Sequence, residues 1–159
     1  MSSAEHDVLQ SLLDRLALLE SALDEDMRWL GLAPQSLAAF AALESHQRSA
    51  SRAVLKSFEQ VEDQLARVFR LLPKMLGVET DRWFARDFAD WMEKFEVLES
   101  AATWSSIVKL RNQLVHDYPV DQATQFDRLR QVFDFIPEMK RTRRALMAFV
   151  DARIRRTGL

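Results

Sequence analysis

The sequence predicts an all-α fold: an antiparallel bundle of four to five helices with an added N-terminal helix. Two observations carry this. Apolar residues recur three and four positions apart over most of the chain, the period of a helix with one buried face. Glycine and proline number only 3 and 4 in 159 residues, too few for an all-β chain, which needs a turn signal about every ten residues. The length suits one domain, and an apolar share of 48% supplies enough material for a core. The chain has no cysteine, which excludes disulfides and thiolate metal sites and is compatible with a reducing compartment.

Each element has its own signals. Val8, Leu9, Leu12, Leu13, Leu16, Leu19 and Leu23 form one helical stripe, with Gly31 as the stop and Pro34 beyond it. Residues 1–35 are therefore read as an extra N-terminal helix packing on the bundle, and 36–159 as the bundle itself. Ser36 can cap a second helix whose stripe runs through Val54, Phe58, Val61, Leu65, Phe69 and Leu72, with a possible break near Ser45 and an end set by Pro73 and Gly77. Thr80 and Asp81 are the expected start of a third, shorter helix carrying Trp83, Phe84, Phe88, Trp91 and Phe95. Ser100 caps a fourth, from about Ala101 to Asp117, and Pro119 ends it by biasing Tyr118 away from the α region. Asp121 caps a fifth, with a bend expected at Pro137. The four tryptophans (Trp29, Trp83, Trp91 and Trp104) fall at helical spacing, so core packing is the first expectation for each; a dimer surface is the alternative.

Several classes are excluded or disfavoured. The longest apolar run, Leu37 to Leu43, is far short of the roughly twenty residues of a membrane span. Residues 1–7 lack the charged start and apolar stretch of a signal peptide, so a cytoplasmic location is expected. A net charge of −2 argues against indiscriminate coating of nucleic acid. The charge is nevertheless uneven: seven acids and one base lie between Glu5 and Asp26, seven bases and one acid between Lys140 and Arg156. The basic stretch is either a polyanion-facing surface or a solvated helix whose arginines complement the helix dipole. His6 and His46 have no neighbouring ligands at metal spacing, the acids Glu93, Glu96 and Glu99 make no di-iron pattern, and glycine is too sparse for a phosphate loop. No metal and no other cofactor is expected.

The segment that carries chemistry is Arg111-Asn112-Gln113-Leu114-Val115-His116-Asp117-Tyr118. Asn112 and His116, four apart, share a helix face, and Arg111 points about 100° round from Asn112. An arginine and a histidine are favourable near a helix C-terminus simply as cations, so spacing alone says little. In context, Arg111, Asn112, His116 and Tyr118, with Trp104 upstream and long helices before it, resemble the signature of the HEPN superfamily, specifically its HepT-like branch, over roughly residues 45–156.

That resemblance implies metal-independent RNA cleavage. Arg111, Asn112 and His116 would act at the scissile phosphate, and two copies of the motif would meet across a homodimer. It also implies a toxin–antitoxin pair, with a nucleotidyltransferase of the minimal (MNT) type as the antitoxin partner adenylylating Tyr118. A related branch acts only as a nucleotidyltransferase substrate-binding or partner subunit, which is the alternative; a helical scaffold with an incidental motif is the third.

The chemistry is consistent with such a site. Attack of a ribose 2′-OH on its phosphate needs a base, an acid and cationic stabilisation. His116 is a residue type that titrates near neutrality, and the helix end suits it to the acid role. The Arg111 fork fits phosphate oxygens. Asn112 can donate to a phosphate oxygen or orient His116. One imidazole does not easily serve both sides of an in-line displacement, so a two-fold dimer is expected on chemical grounds too.

Overall fold

The computed structural model describes residues 3–117, 119 and 121–155. Six α-helices make up the fold: α1 (Ser3–Leu30), α2 (Leu37–Ala41), α3 (Ser45–Met75), α4 (Ala85–Lys94), α5 (Ala101–His116) and α6 (Gln122–Val150), with no strand among the described residues. A π turn, Asp151–Arg155, continues α6. The all-α expectation holds.

Local chemistry sets the boundaries. Gly31 ends α1 in the left-handed region (φ +76°), where a side chain would be strained. The Ser36 hydroxyl accepts from Ala39 N (3.1 Å) at the start of α2. The break near Ser45 is real: Gln47 Oε1 accepts from Glu44 N (3.0 Å) and restarts the chain as α3. Pro73 is accommodated inside the last turn of α3, and Gly77, again left-handed at φ +77°, closes it. Ser100 and Asp121 cap α5 and α6 through Thr103 N (3.1 Å) and Thr124 N (2.8 Å). Pro137 sits within α6.

One boundary differs from expectation. The third predicted helix begins at Ala85 and not at Thr80 or Asp81, because the Asp87 carboxylate accepts from Phe84 N (2.7 Å) and fixes the first turn there. Phe84 is left exposed.

The long helices alternate in direction. Gln47 Nε2 donates to Leu30 O and Gln64 Nε2 to Leu12 O, so α1 and α3 run antiparallel. Phe69 against Trp104 (5.0 Å between ring centres) and Glu62 against Arg111 set α3 antiparallel to α5. A short connection then returns the chain as α6. A single core joins them, and α1 contributes Leu9, Leu13, Leu16, Leu23 and Leu30 to it. The N-terminal helix thus buries most of its stripe in the common core, chiefly against α3, while Val8 is exposed.

Of the tryptophans, Trp104 is core, whereas Trp29 is 65% exposed, contrary to the core expectation; it lies off the α1 stripe, one position before buried Leu30. The uneven charge is resolved between helices. Lys140 pairs with Asp24, Arg143 with Glu20 (2.9 Å), and Arg141 with Glu138 (2.9 Å) and Glu99 (3.4 Å). The acidic α1 and this part of basic α6 neutralise each other along a seam. Arg156, at the end of the basic stretch, lies outside the described residues. No described helix is long and apolar enough to cross a membrane.

Candidate functional site

The motif occupies the last turns of α5, which the Ser100 cap starts and Asp117 ends, with Asp117 N donating to Gln113 O (3.0 Å). The buried residues Ala101, Trp104, Ile107 and Leu110 define the side of α5 that faces the core. At about 100° per residue, Arg111 falls near the middle of that side, Asn112 about 100° away and His116 about 140° away. Burial follows this geometry: Arg111 is half-buried, whereas Asn112 and His116 are exposed.

Arg111 reaches α3. Its Nε lies 3.2 Å from Glu62 Oε2 as an ion pair without a hydrogen bond, and its Nη2 donates to Asp63 Oδ1 (3.4 Å). Its Nη1 donates to the side-chain oxygen Asn112 Oδ1 (3.1 Å), which ties the two motif residues together. Asp63 is in turn held by Arg67 Nε (2.9 Å). Glu62 is 3% exposed. Burial pushes its carboxyl up to about 7, opposed by Arg111 and helped by Asp63. The guanidinium is thus clamped between two carboxylates of α3.

The guanidinium is not sealed in. It borders a polar recess of about 200 Å³ with Arg15, Gln60, Gln64, Arg67 and the carboxylates Glu59 and Asp63. Among the described residues, the His116 side chain makes no hydrogen bond or ion pair. Arg111 and Asn112 are therefore brought together, while His116 points elsewhere on the helix. Tyr118, the expected modification site, lies outside the described residues.

Sequence reasoning missed Glu62 and Asp63. A signal was available for Glu62: it sits four after Phe58 and three before Leu65, on the apolar stripe of α3, where a carboxylate requires a partner. Arg111 is the complementary cation on the apolar side of α5.

Asp117 makes a second link. The buried Arg128 of α6 donates to the Asp117 carboxylate (2.6 Å) and to its backbone oxygen, which anchors the end of α5 beside the start of α6. No group of three or more His, Asp or Glu side chains among the described residues could hold a metal ion. No family model, curated protein or solved structure matches the chain.

Proposed function

We propose that the chain is a HepT-like, metal-independent RNA endonuclease of the HEPN type, acting as a homodimer and partnered by an MNT-type nucleotidyltransferase. The observation that carries this reading is the arrangement at the end of α5: Asn112 and His116 exposed, with Arg111 bonded to Asn112 and bordering an open recess.

In the proposed reaction, one His116 imidazole takes the proton of a ribose 2′-OH, and the 2′ oxygen attacks phosphorus. The bond from phosphorus to O5′ breaks, and the His116 of a second chain returns a proton to O5′. The products are a 2′,3′-cyclic phosphate and a 5′-hydroxyl, with no net change in protons. Arg111, with Asn112 beside it, compensates the charge that builds on phosphorus.

The partner would transfer AMP from ATP to the Tyr118 hydroxyl, releasing pyrophosphate and the phenolic proton. The added phosphodiester would compete with RNA for Arg111.

A second reading, a non-catalytic nucleotidyltransferase partner subunit, is favoured by the engagement of Arg111 with Glu62 and Asp63, which reads as structural. Incubating the purified chain with RNA in EDTA separates the two. New 3′ ends bearing cyclic phosphate support the nuclease; intact RNA, with tight binding of the transferase to an unmodified chain, supports the partner subunit. Light scattering should give twice the 18.5 kDa chain mass. A strict monomer that still cleaves RNA would refute the composite site.

A further inference from the structure

Beside the end of α5 lies a cleft of about 220 Å³ between α3, α5 and α6, with Phe40 of α2 at one side. Its apolar lining comes from Phe40, Leu55, Leu114 and Leu129. Phe40 stands 5.8 Å from the Phe126 ring, so an aromatic pair backs that wall. The volume is below the roughly 300–1,000 Å³ of pockets that enclose a drug-sized ligand. One planar ring fits; the rest of a larger ligand must run outside.

The rim says what that remainder is. Arg48, Arg52 and Lys56 recur every fourth residue on the cleft side of α3 and are all exposed. Their backbone positions are spaced about 6 Å apart along the helix, a spacing comparable to that of successive phosphates in an extended strand. Lys56 is paired with Glu59 (2.8 Å) and Arg48 donates to Leu43 O (2.7 Å), whereas Arg52 has no ion pair among the described residues. Gln122 on α6 offers an amide able to donate to and accept from a ring edge, and Gln125, whose Nε2 donates to Pro119 O (3.0 Å), adds an acceptor oxygen. An apolar slot with a polar edge and a row of cations matches a nucleotide, and fits a fatty acid, which needs a long apolar tunnel, less well. The antiparallel pairing of α3 and α5 brings Lys56 to the same cleft as Asp117, the residue after His116.

We propose that this cleft seats one unstacked base of a single-stranded RNA, with the flanking phosphates tracking along Arg48, Arg52 and Lys56 toward the end of α5. The proposal rests on the RNA reading of the motif and specifies where the strand lies. Single-strand binders combine the same two elements, a cationic track and a surface on which a base packs.

The test uses the full chain and a fluorescent 2′-O-methyl oligoribonucleotide, which has no free 2′-OH and therefore cannot be cleaved by the proposed route. Anisotropy should show binding that weakens tenfold or more in the Arg52→Glu, Lys56→Glu double variant. Both positions are exposed, and circular dichroism checks that the helices persist. The salt dependence should flatten by about 0.7 in log–log slope for each phosphate that the variant no longer neutralises. An abasic strand of equal length and charge should bind at least tenfold more weakly, because it has no ring for the slot. Equal affinity for the abasic strand, no effect of charge reversal, or no binding at all would overturn the proposal. Cleavage is scored separately on ordinary RNA. Arg52-sensitive, base-dependent binding without cleavage would sink the nuclease reading and leave the cleft assignment standing; wild-type cleavage by the double variant would do the reverse.

Discussion

Arg111 and His116 share the last turns of α5 but not an environment. Arg111 projects from the core-facing side into a pair of carboxylates, one of them almost fully buried. His116 stands exposed at the helix end. A motif that reads as one unit along the chain is thus divided in space. Removing the arginine leaves a buried carboxyl without its cation, and removing the histidine strands nothing. Stability and chemistry should therefore respond differently to the two substitutions, and that difference can be measured.

The largest expected effect on stability is for Arg111→Ala. Breaking a buried ion pair typically costs about 3–5 kcal/mol. Arg111 is 27% and Asp63 37% exposed in their side chains, so a loss of about 2–3 kcal/mol is expected, several degrees in Tm for a chain of this size. His116→Ala should fall within about 0.5 kcal/mol of wild type. Thermal melts of the two variants check this, and equal losses would erase the contrast. The double variant Arg111→Met, Glu62→Gln should recover much of the loss, since it leaves no unpaired charge.

Next in size is a pH dependence. The Glu62 carboxyl is raised from 4.5 to about 7 in the folded chain. The folded state therefore holds a proton that the unfolded state releases, so stability is full below about pH 4.5, falls as the pH rises through about 7, and is level above that. The whole shift sets an upper limit of about 3 kcal/mol, and a fall of about 2 kcal/mol between pH 5 and 8 is the expectation. Glu20, raised by burial and held back by the opposing charges of Arg143 and Lys140, adds a smaller fall of the same sign. Denaturant titrations at both pH values should show the fall in wild type and most of it gone in Glu62→Gln. An undiminished slope in that variant would place the titrating group elsewhere.

The smallest effect belongs to the seam between α1 and α6. Lys140→Ala should cost no more than about 1 kcal/mol, because the Lys140–Asp24 pair is partly exposed and screened by salt. A larger loss, insensitive to salt, would mean that the seam does more than neutralise charge.

Much of the fold was legible because its signals are local. Gly31, Ser36, Ser100 and Asp121 each act within a few residues of their own position, and each marks a boundary in the structure. The start of α4 was misplaced because two N-cap signals compete there, Thr80–Asp81 and the back-bond from Asp87 to Phe84 N, and sequence does not rank them. The candidate site was half legible. The periodicity of α5 placed Asn112 and His116 on one face correctly. The Glu62–Arg111 pair was missed because it joins residues 49 positions apart, and only the docking of α3 on α5 reveals it. The charge asymmetry was visible in the sequence, but its meaning depended on α1 and α6 facing each other.

We propose that the exposed side of this divided helix end does chemistry on RNA. The most direct measurement is cleavage of RNA in EDTA by the purified His116→Ala protein beside wild type, with 3′ ends analysed. Wild type should produce 2′,3′-cyclic phosphate ends. His116→Ala, folded and melting as wild type does, should be slower by about 10²–10⁴-fold, the usual range for loss of a general acid or base. Equal cleavage by the two proteins, or none by wild type, would contradict the account.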